Sequence, residues 1–211
     1  MKTMIAIPCM DTTNIEFTKS ILYLEKSENT TPVFLPNTLI YDARNLLSLT
    51  AMEYNFDRVM WLDSDMTFKP DTMKRLIAHL DENPDVEMVT GLYVRRKKPV
   101  TPVIYDRLEP PETGPDGKVI RNDHPYMDYP KNSFFPVEGC GFGCVVTSTN
   151  LLQEVWQRYN AAFTPLPWCG EDLSFCKRVT ELGHKIWCDS SVVCGHIGTI
   201  TYDESMIQKE E

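Results

Sequence analysis

The sequence predicts a single α/β domain whose mixed, mostly parallel sheet is flanked by helices. Short apolar runs typical of strands alternate with segments of helical apolar spacing over residues 3–94, and this alternation is typical of βαβ units. The chain has 211 residues, of which 42% are hydrophobic and 24% charged, so it can bury one substantial core. No internal repeat is visible, and we therefore expect one domain rather than an array.

The first half of the chain contains four predicted strands and three predicted helices. The strands are short apolar runs at 3–8, 31–35, 58–62 and 86–94. The helices run from a capping-box spacing at Thr13 to about Asn29, over 42–55, and from Pro70 to about Asn83. In the second of these helices one stripe is predicted to carry the apolar side chains of Ala43, Leu46, Leu49 and Met52.

The pattern changes between Pro99 and Pro136. This stretch is rich in Pro, Gly and Asp and is too long for an ordinary connection, so we interpret it as a hairpin or lid. The regular pattern then resumes with strands at 134–137, up to 147 and at 185–188, and with helices at 150–159 and 170–183. Gly183 is the expected stop signal of the last helix.

Composition excludes some classes of function. The net charge of −9 argues against broad nonspecific binding of nucleic acid, although Arg95-Arg96-Lys97-Lys98 forms a local basic run, which is read equally well as a solvated loop. The seven cysteines are odd in number and irregularly spaced, which favours reduced thiols. No apolar run of 18 residues and no signal-peptide pattern is present, and we expect a cytoplasmic protein.

Two aspartates directly follow the predicted strand at 58–62. Asp63 and Asp65 would stand at the carboxyl edge of the sheet, where ligands of α/β proteins gather. Two carboxylates there suit Mg²⁺ or Mn²⁺, with diphosphate oxygens completing the coordination shell. An isolated Asp-x-Asp is more often a structural turn, because aspartate side chains also bond nearby backbone amides.

Other motifs favour a functional over a purely structural interpretation of the Asp-x-Asp, since each of them lies at a predicted element boundary. They are Ala43-Arg44-Asn45, the glycine-punctuated turn from Gly139 to Gly143, Gly170-Glu171-Asp172, and Gly195-His196. With Val59 to Asp65, their order and spacing resemble the GT-A glycosyltransferases, particularly the family-2-like group, over most of the chain. Gly91-Leu92-Tyr93 running into basic residues, and the late Gly195-His196, resemble short stand-alone enzymes of bacterial and phage genomes.

The resemblance implies a metal-dependent transfer of a sugar from a nucleotide-diphosphate donor. By it, Asp65 and His196 bind Mn²⁺ or Mg²⁺, Asp63 contacts the metal or the donor ribose, and Arg44 faces the nucleotide. Pro8, Ser64, Gly139 and Gly141 are further donor-side candidates. The chain would then divide into a nucleotide-binding half (1–98), an insertion or lid bordering the site (99–136) and an acceptor-side half (137–211).

The acceptor side of the resemblance centres on Glu171 and Asp172. Asp172 would be the general base, kept ionised by the helix N-terminus, and Glu171 would position the acceptor. Ordinary helix capping explains the same two residues when the Asp-x-Asp is left aside. The place after the second strand, where family members commonly carry an acidic residue that reads the base, holds Pro36-Asn37-Thr38 here.

Three alternatives stay open on the sequence. A nucleotidyltransferase would also use a carboxylate pair and a nucleotide, but it needs a glycine-rich phosphate loop near the first strand, where Pro8-Cys9-Met10-Asp11 stands. A catalytically silent nucleotide-sugar-binding protein is the second alternative. The third is a zinc-binding module, with ligands drawn from Cys169, Cys176, Cys188, Cys194 and His196.

The residues do not name the acceptor. It could be a saccharide, a lipid, a protein or a modified base in phage DNA, and the basic run from Arg95 to Lys98 is compatible with a polyanion. The donor sugar, its nucleotide and the stereochemistry of transfer are equally open.

Overall fold

The computed structural model describes residues 1–198, with the side chains of residues 121 and 122 left aside, so the acidic C-terminal tail lies outside the described residues. The strands are β1 (Thr3–Cys9), β2 (Thr30–Pro36), β3 (Arg58–Leu62), β4 (Met66–Thr67), β5 (Met88–Leu92), β6 (Ile104–Thr113), β7 (Val119–Pro125), β8 (Phe134–Val137), β9 (Gly139–Cys140), β10 (Cys144–Ser148), β11 (Ile186–Val193) and β12 (Gly195–His196). The helices are α1 (Ile15–Tyr23), α2 (Ile40–Glu53), α3 (Thr72–Glu82), α4 (Thr149–Tyr159) and α5 (Glu171–Glu181).

A seven-stranded sheet in the order β2-β1-β3-β10-β5-β11-β8 forms the centre of the molecule. β1 pairs in parallel with β2 and β3, and β11 pairs in parallel with β5. β10 is antiparallel to both β3 and β5, and β8 is antiparallel to β11. Five of these seven strands therefore run in one direction, which confirms the prediction of a mixed, mostly parallel sheet.

The helix ends follow from local chemistry. α1 begins after Asn14, whose side-chain oxygen accepts the Glu16 amide at 2.8 Å. It ends at Tyr23 rather than near Asn29, because Leu24 is already extended and the Lys26 ammonium donates to the carbonyls of Ile21 and Leu24. After α5, Gly183 adopts a φ of +88°, and this confirms its predicted role as the stop signal.

The buried face of α2 includes Ala43 of the predicted stripe but otherwise differs from it. Leu46 and Leu49 are 49% and 38% exposed, whereas Arg44, Leu47 and Ser48 are among the residues that pack inward. The helix has apolar side chains on both faces, so periodicity alone could not identify the inner one. The face of α2 that packs on the sheet includes a charged residue, Arg44, whose side chain is therefore buried.

The stretch between β5 and β8 contains a long hairpin, as one reading of the sequence predicts. β6 and β7 pair antiparallel, and β6 also pairs with β9, so that a second sheet of three strands lies beside the first. Leu108 of β6 packs where a side chain on Gly139 would lie, and Leu173 of α5 approaches the same position. The base of the hairpin is thereby attached to the start of α5.

Buried aromatic rings fill the space between the central sheet and α5. Trp61 of β3 lies 5.9 Å from Phe142 and 5.1 Å from Phe163, and the Phe163 ring stacks on Phe175 at 4.5 Å. The Trp61 indole N–H donates to Thr147 at 3.0 Å, so burial leaves it paired. This cluster holds the end of β3 and the start of α5 in a fixed relation.

Within the described residues, none of the helices combines the length and apolar character needed to cross a bilayer.

Candidate active site

The end of β3 and the first turn of α5 meet at the carboxyl edge of the sheet. The buried side chain of Arg44, on α2, joins them. Its Nη2 donates to Asp63 Oδ1 at 2.7 Å and its Nη1 to Glu171 Oε1 at 2.5 Å. Two motifs separated by more than a hundred residues therefore share one guanidinium.

Arg44 lies beneath the site rather than facing it. The resemblance implied an arginine that faces the nucleotide, but this side chain is only 3% exposed and the guanidinium lies 5.2 Å from the centre of the Phe142 ring. Burial opposes its charge, yet Asp63 and Glu171 outweigh that effect and raise the pKa of Arg44. A permanent positive charge is thus held under the two carboxylates.

Asp63 and Asp65 differ in their electrostatic surroundings. Burial raises the pKa of Asp63, Arg44 opposes that rise, and the neighbouring charge of Asp65 adds to it. For Asp65, burial is outweighed by the nearby His196 imidazole and the charge of Arg96, so the pKa of this carboxyl lies below its usual value. Asp65 is therefore the more readily ionised of the two.

His196 is brought to Asp65 by a short strand pairing. β12 pairs with β4, and a side chain on Gly195 would approach the Thr67 hydroxyl to 2.3 Å, so glycine permits the close approach. His196 Nδ1 lies 2.9 Å from the Val94 carbonyl oxygen, and this contact requires Nδ1 to carry a proton. His196 Nε2 then faces Asp65 Oδ2 at 3.6 Å, and the nearby Asp65 carboxylate favours the protonated ring and raises the pKa of His196.

Tyr93 and Arg96 hold His196 and Asp65 in place, although no motif of the sequence singles out either residue. The Tyr93 ring packs edge-to-face on His196 at 5.4 Å, and the Tyr93 hydroxyl accepts the Gly143 amide at 3.2 Å. Arg96 Nη1 contacts Asp65 Oδ2 at 3.0 Å. The family resemblance included both positions only as part of a strand running into basic residues.

Asp172 stands on the first turn of α5, which has Gly170 as its N-cap and no side-chain cap. Its Oδ1 accepts the Leu173 amide at 2.7 Å. We expected the helix N-terminus to keep this carboxylate ionised, which would lower its pKa. Burial and the charge of Glu171 instead raise the pKa of Asp172 to about 6, against the opposing effect of Arg44. The carboxylate form still predominates at neutral pH.

The remaining donor-side candidates fall into two groups. Pro8 and Ser64 line a cavity of about 380 Å³ together with Asp63, Asp65, Cys9, Met10, Thr38, Leu39 and Ile40. Gly139 and Gly141 instead face protein: a side chain on Gly141 would come within 2.0 Å of the Tyr93 hydroxyl and 2.7 Å of Val103. Internal packing is thus sufficient to require a glycine at 141.

The metal-ligand candidates do not assemble into a complete coordination shell. Over residues 1–198, no three His, Cys, Asp or Glu side chains converge as a preformed metal cluster. Asp65 and His196 approach each other, whereas Asp63 turns towards Arg44. All seven cysteines are free thiols, and the five positions considered for zinc do not form such a cluster either.

Comparison with known proteins extends the description of the fold. No family model and no curated protein sequence matches this chain. Among solved structures, A197 from STIV has a TM-score of 0.67 and 18% identity, over 94% of this chain and 87% of that one. GalNAc-T7, solved with UDP, GalNAc and Mn²⁺, has a TM-score of 0.62 and 11% identity, over 94% of this chain and 43% of that one.

The second of these structures is a glycosyltransferase of the GT-A fold. This chain spans less than half of its length, and at such identities the likeness establishes the architecture alone. Three observations indicate the same fold. They are the order of the seven-stranded sheet, the position of the Asp63-Ser64-Asp65 turn at its carboxyl edge, and the two structural likenesses. The chain therefore has the mixed α/β fold of the GT-A glycosyltransferases.

Proposed function

We propose that this protein is a metal-dependent glycosyltransferase, family-2-like, that moves a sugar from a nucleoside-diphosphate donor to an acceptor hydroxyl. The observation that carries the proposal is the shared guanidinium of Arg44, which draws Asp63 and Glu171 to one edge of the sheet. The carboxylates of a donor motif and of an acceptor motif are thereby brought together in a fold that glycosyltransferases use. An isolated Asp-x-Asp turn would not need this connection.

The donor nucleoside would occupy the cavity beside Pro8 and Ser64. This cavity is open to solvent, has apolar walls from residues such as Leu39 and Ile40, and ends at the carboxylates of Asp63 and Asp65. Apolar walls with a few convergent polar groups suit a base and ribose, and the polar end suits a ribose hydroxyl or a metal-bound diphosphate. The GalNAc-T7 structure, determined with UDP, GalNAc and Mn²⁺, supports a donor of this class.

Asp65 and His196 would hold the metal ion, and their chemistry fits Mn²⁺ or Mg²⁺. Because His196 Nδ1 donates to the Val94 carbonyl, the neutral ring carries its lone pair on Nε2, as a metal-ligating imidazole requires, and a bound ion would replace the Nε2 proton of the protonated ring. Nε2 and Asp65 Oδ2 lie 3.6 Å apart, less than twice a metal–ligand distance of about 2.1 Å. A bound ion supplies Lewis acidity that neutralises charge on the leaving diphosphate.

Asp172 would accept the proton of the acceptor hydroxyl. In a direct displacement the acceptor oxygen bonds to the anomeric carbon, the bond from that carbon to the diphosphate oxygen breaks, and the proton moves to the Asp172 carboxylate. With a pKa of about 6, this carboxylate is a stronger base than an exposed aspartate and is still ionised at neutral pH. Glu171, held by Arg44, would orient the acceptor.

Calorimetric titration of UDP-, GDP- and TDP-sugars tests the donor and the metal together. We expect one donor to bind with Mn²⁺ present and to lose most of its affinity in EDTA. Asp65→Asn should abolish metal-dependent donor binding while the protein stays folded with only a small loss of stability, because the side chain is 33% exposed and lies outside the core. Asp71→Asn, another exposed aspartate remote from the cavity, is the matched control.

The chemical step needs a separate measurement. Asp172→Asn should bind donor and metal as the wild type does but release nucleoside diphosphate roughly 10²–10⁴ times more slowly, as expected for loss of a general base. Donor binding without turnover in the wild type would favour a nucleotide-sugar-binding protein. Absence of donor binding with Mn²⁺ and with EDTA would refute the proposal.

A further inference from the structure

Arg96 contributes a cation to the metal side of the site. It lies on the segment after β5, its side chain is 47% exposed, and Nη1 reaches Asp65 Oδ2 at 3.0 Å. The same Nη1 donates to the Ile197 carbonyl at 2.9 Å. The guanidinium therefore bridges the turn after β3 and the segment after β12.

The oxygen that Arg96 contacts is the one that a metal ion would need. Asp65 Oδ2 lies 3.0 Å from Arg96 Nη1 and 3.6 Å from His196 Nε2. A guanidinium and an imidazole therefore already approach this one oxygen. A divalent ion seated between Asp65 and His196 would be repelled by the guanidinium at this distance. The ion and Arg96 are thus competitors for one carboxylate.

The surroundings allow Arg96 to exchange partners. Nearly half of its side chain is exposed, so it can leave Asp65 without opening the core. A guanidinium binds phosphate oxygens through two parallel hydrogen bonds, which makes a diphosphate a better partner than a carboxylate that has bound a metal. The adjacent Arg95 is engaged elsewhere, since its Nη2 donates to the Tyr105 hydroxyl. Arg96 is therefore the arginine of the basic run that is placed for this exchange.

We propose that Arg96 is an exchangeable counter-ion: it neutralises Asp65 in the absence of metal and transfers to the donor diphosphate when the ion takes that carboxylate. This inference rests on the proposed function, because it requires a metal ion and a nucleoside diphosphate at this edge of the sheet. It makes Arg96 a donor-binding residue and couples the binding of metal to that of nucleotide. Metal without nucleotide would leave the guanidinium with the Ile197 carbonyl but without an anionic partner.

Two titrations on Arg96→Ala test the exchange without measuring turnover. The first measures the Mn²⁺ affinity of the nucleotide-free protein by electron paramagnetic resonance of free Mn²⁺. We expect the variant to bind Mn²⁺ about two- to fivefold more tightly, as removal of a partly exposed ion-pair competitor allows. The second measures, at saturating Mn²⁺, the affinity for whichever of UDP, GDP and TDP binds the wild type best. Here we expect a loss of about fivefold or more.

The exchange predicts opposite changes in the two affinities, with tighter binding of Mn²⁺ and weaker binding of the nucleotide. Arg96→Gln, which can still donate to Ile197 but has no charge, should behave like Arg96→Ala, and Arg96→Lys should lie closer to the wild type. Lys97→Ala removes the same charge one residue further along and is the matched control, with a change of less than about twofold in either titration. Thermal unfolding of each variant confirms that it is folded.

The outcomes separate the exchange from the proposed function. If Arg96 only anchors the segment at Ile197, its loss should weaken both affinities or change neither, and either result overturns the exchange while wild-type binding leaves the proposed function standing. An effect of equal size in Lys97→Ala would also overturn it. If the wild type and the Arg96 variants bind neither Mn²⁺ nor any nucleoside diphosphate, the proposed function fails and the exchange fails with it.

Discussion

Replacing Asp172 by asparagine should stabilise the folded protein at neutral pH even though it removes the proposed base. The carboxylate is half-buried, and burial together with Glu171 raises its pKa to about 6. Asparagine has nearly the same shape and keeps an oxygen that can accept the Leu173 amide, now 2.7 Å from Oδ1. The substitution therefore removes an unfavourable charge and preserves the local hydrogen bond.

The size of the effect follows from proton linkage. In the unfolded chain an aspartate has a pKa of about 3.9, so above that pH the unfolded state loses its proton more readily than the folded state does. The raised folded value of about 6 destabilises the folded protein at pH 7.5 by at most about 3 kcal/mol, at about 1.4 kcal/mol per pH unit. Residual solvent contact reduces the expected gain to about 1–3 kcal/mol.

Urea unfolding of the metal-free protein in EDTA measures this gain. The midpoint of Asp172→Asn should exceed that of the wild type at pH 7.5, and the difference should fall to about half at pH 5, between the unfolded and folded pKa values. Asp71→Asn, at the start of α3 with a side chain 46% exposed, should change stability by less than about 0.5 kcal/mol. A variant that is no more stable at pH 7.5, or a gain independent of pH, would refute this account of the Asp172 environment.

Two further predictions concern the framework of the site. Arg44→Met should destabilise the protein by about 3–5 kcal/mol, because Asp63 and Glu171 lose a shared partner that is only 3% exposed. Arg107→Met, at a side chain that is 47% exposed and pairs with the exposed Glu109, should have an effect below about 1 kcal/mol. Equal losses of unfolding free energy in the two variants, measured in urea, would show that Arg44 does not act as a buried partner of both carboxylates. Gly141→Ala should lower stability by about 1–3 kcal/mol, since the new methyl group would lie 2.0 Å from the Tyr93 hydroxyl, and an unchanged thermal midpoint would contradict this.

The sequence predicted the architecture well where local signals were strong. The strand before Asp63 is a continuous apolar run and was located to the residue. The capping-box spacing placed the first helix start at Thr13, one residue before the actual N-cap, Asn14, and Gly183 marks the end of α5 through its positive φ. The prediction for the inner face of α2 was wrong at Leu46 and Leu49, which are apolar but exposed, and right at Ala43, which is buried. Which face of such a helix packs inward depends on the sheet beneath it, and no local pattern contains that information.

The site shows the same division between local and long-range signals. The Asp63-Ser64-Asp65 turn at a strand end follows from the alternation of strands and helices, and its position at the sheet edge is confirmed. Arg96 was only one of four adjacent cations, and nothing in its neighbourhood in the sequence distinguishes it from Arg95, although the two contact different partners. Tyr93 likewise acquires its role only where the segment after β5 packs against His196.

Arg44 explains why the motifs of the site have to be considered together. Its partners Asp63 and Glu171 lie 19 and 127 residues away. Neither the Asp-x-Asp turn nor the start of α5 therefore contains the cation that balances its own carboxylate. A buried cation that binds both carboxylates fixes their separation, because displacing either one leaves the guanidinium underpaired in a low-dielectric interior. The carboxylates of Asp63 and Glu171 are therefore mechanically connected through Arg44. A change at Glu171 should then be transmitted to Asp63 without any contact between the two side chains.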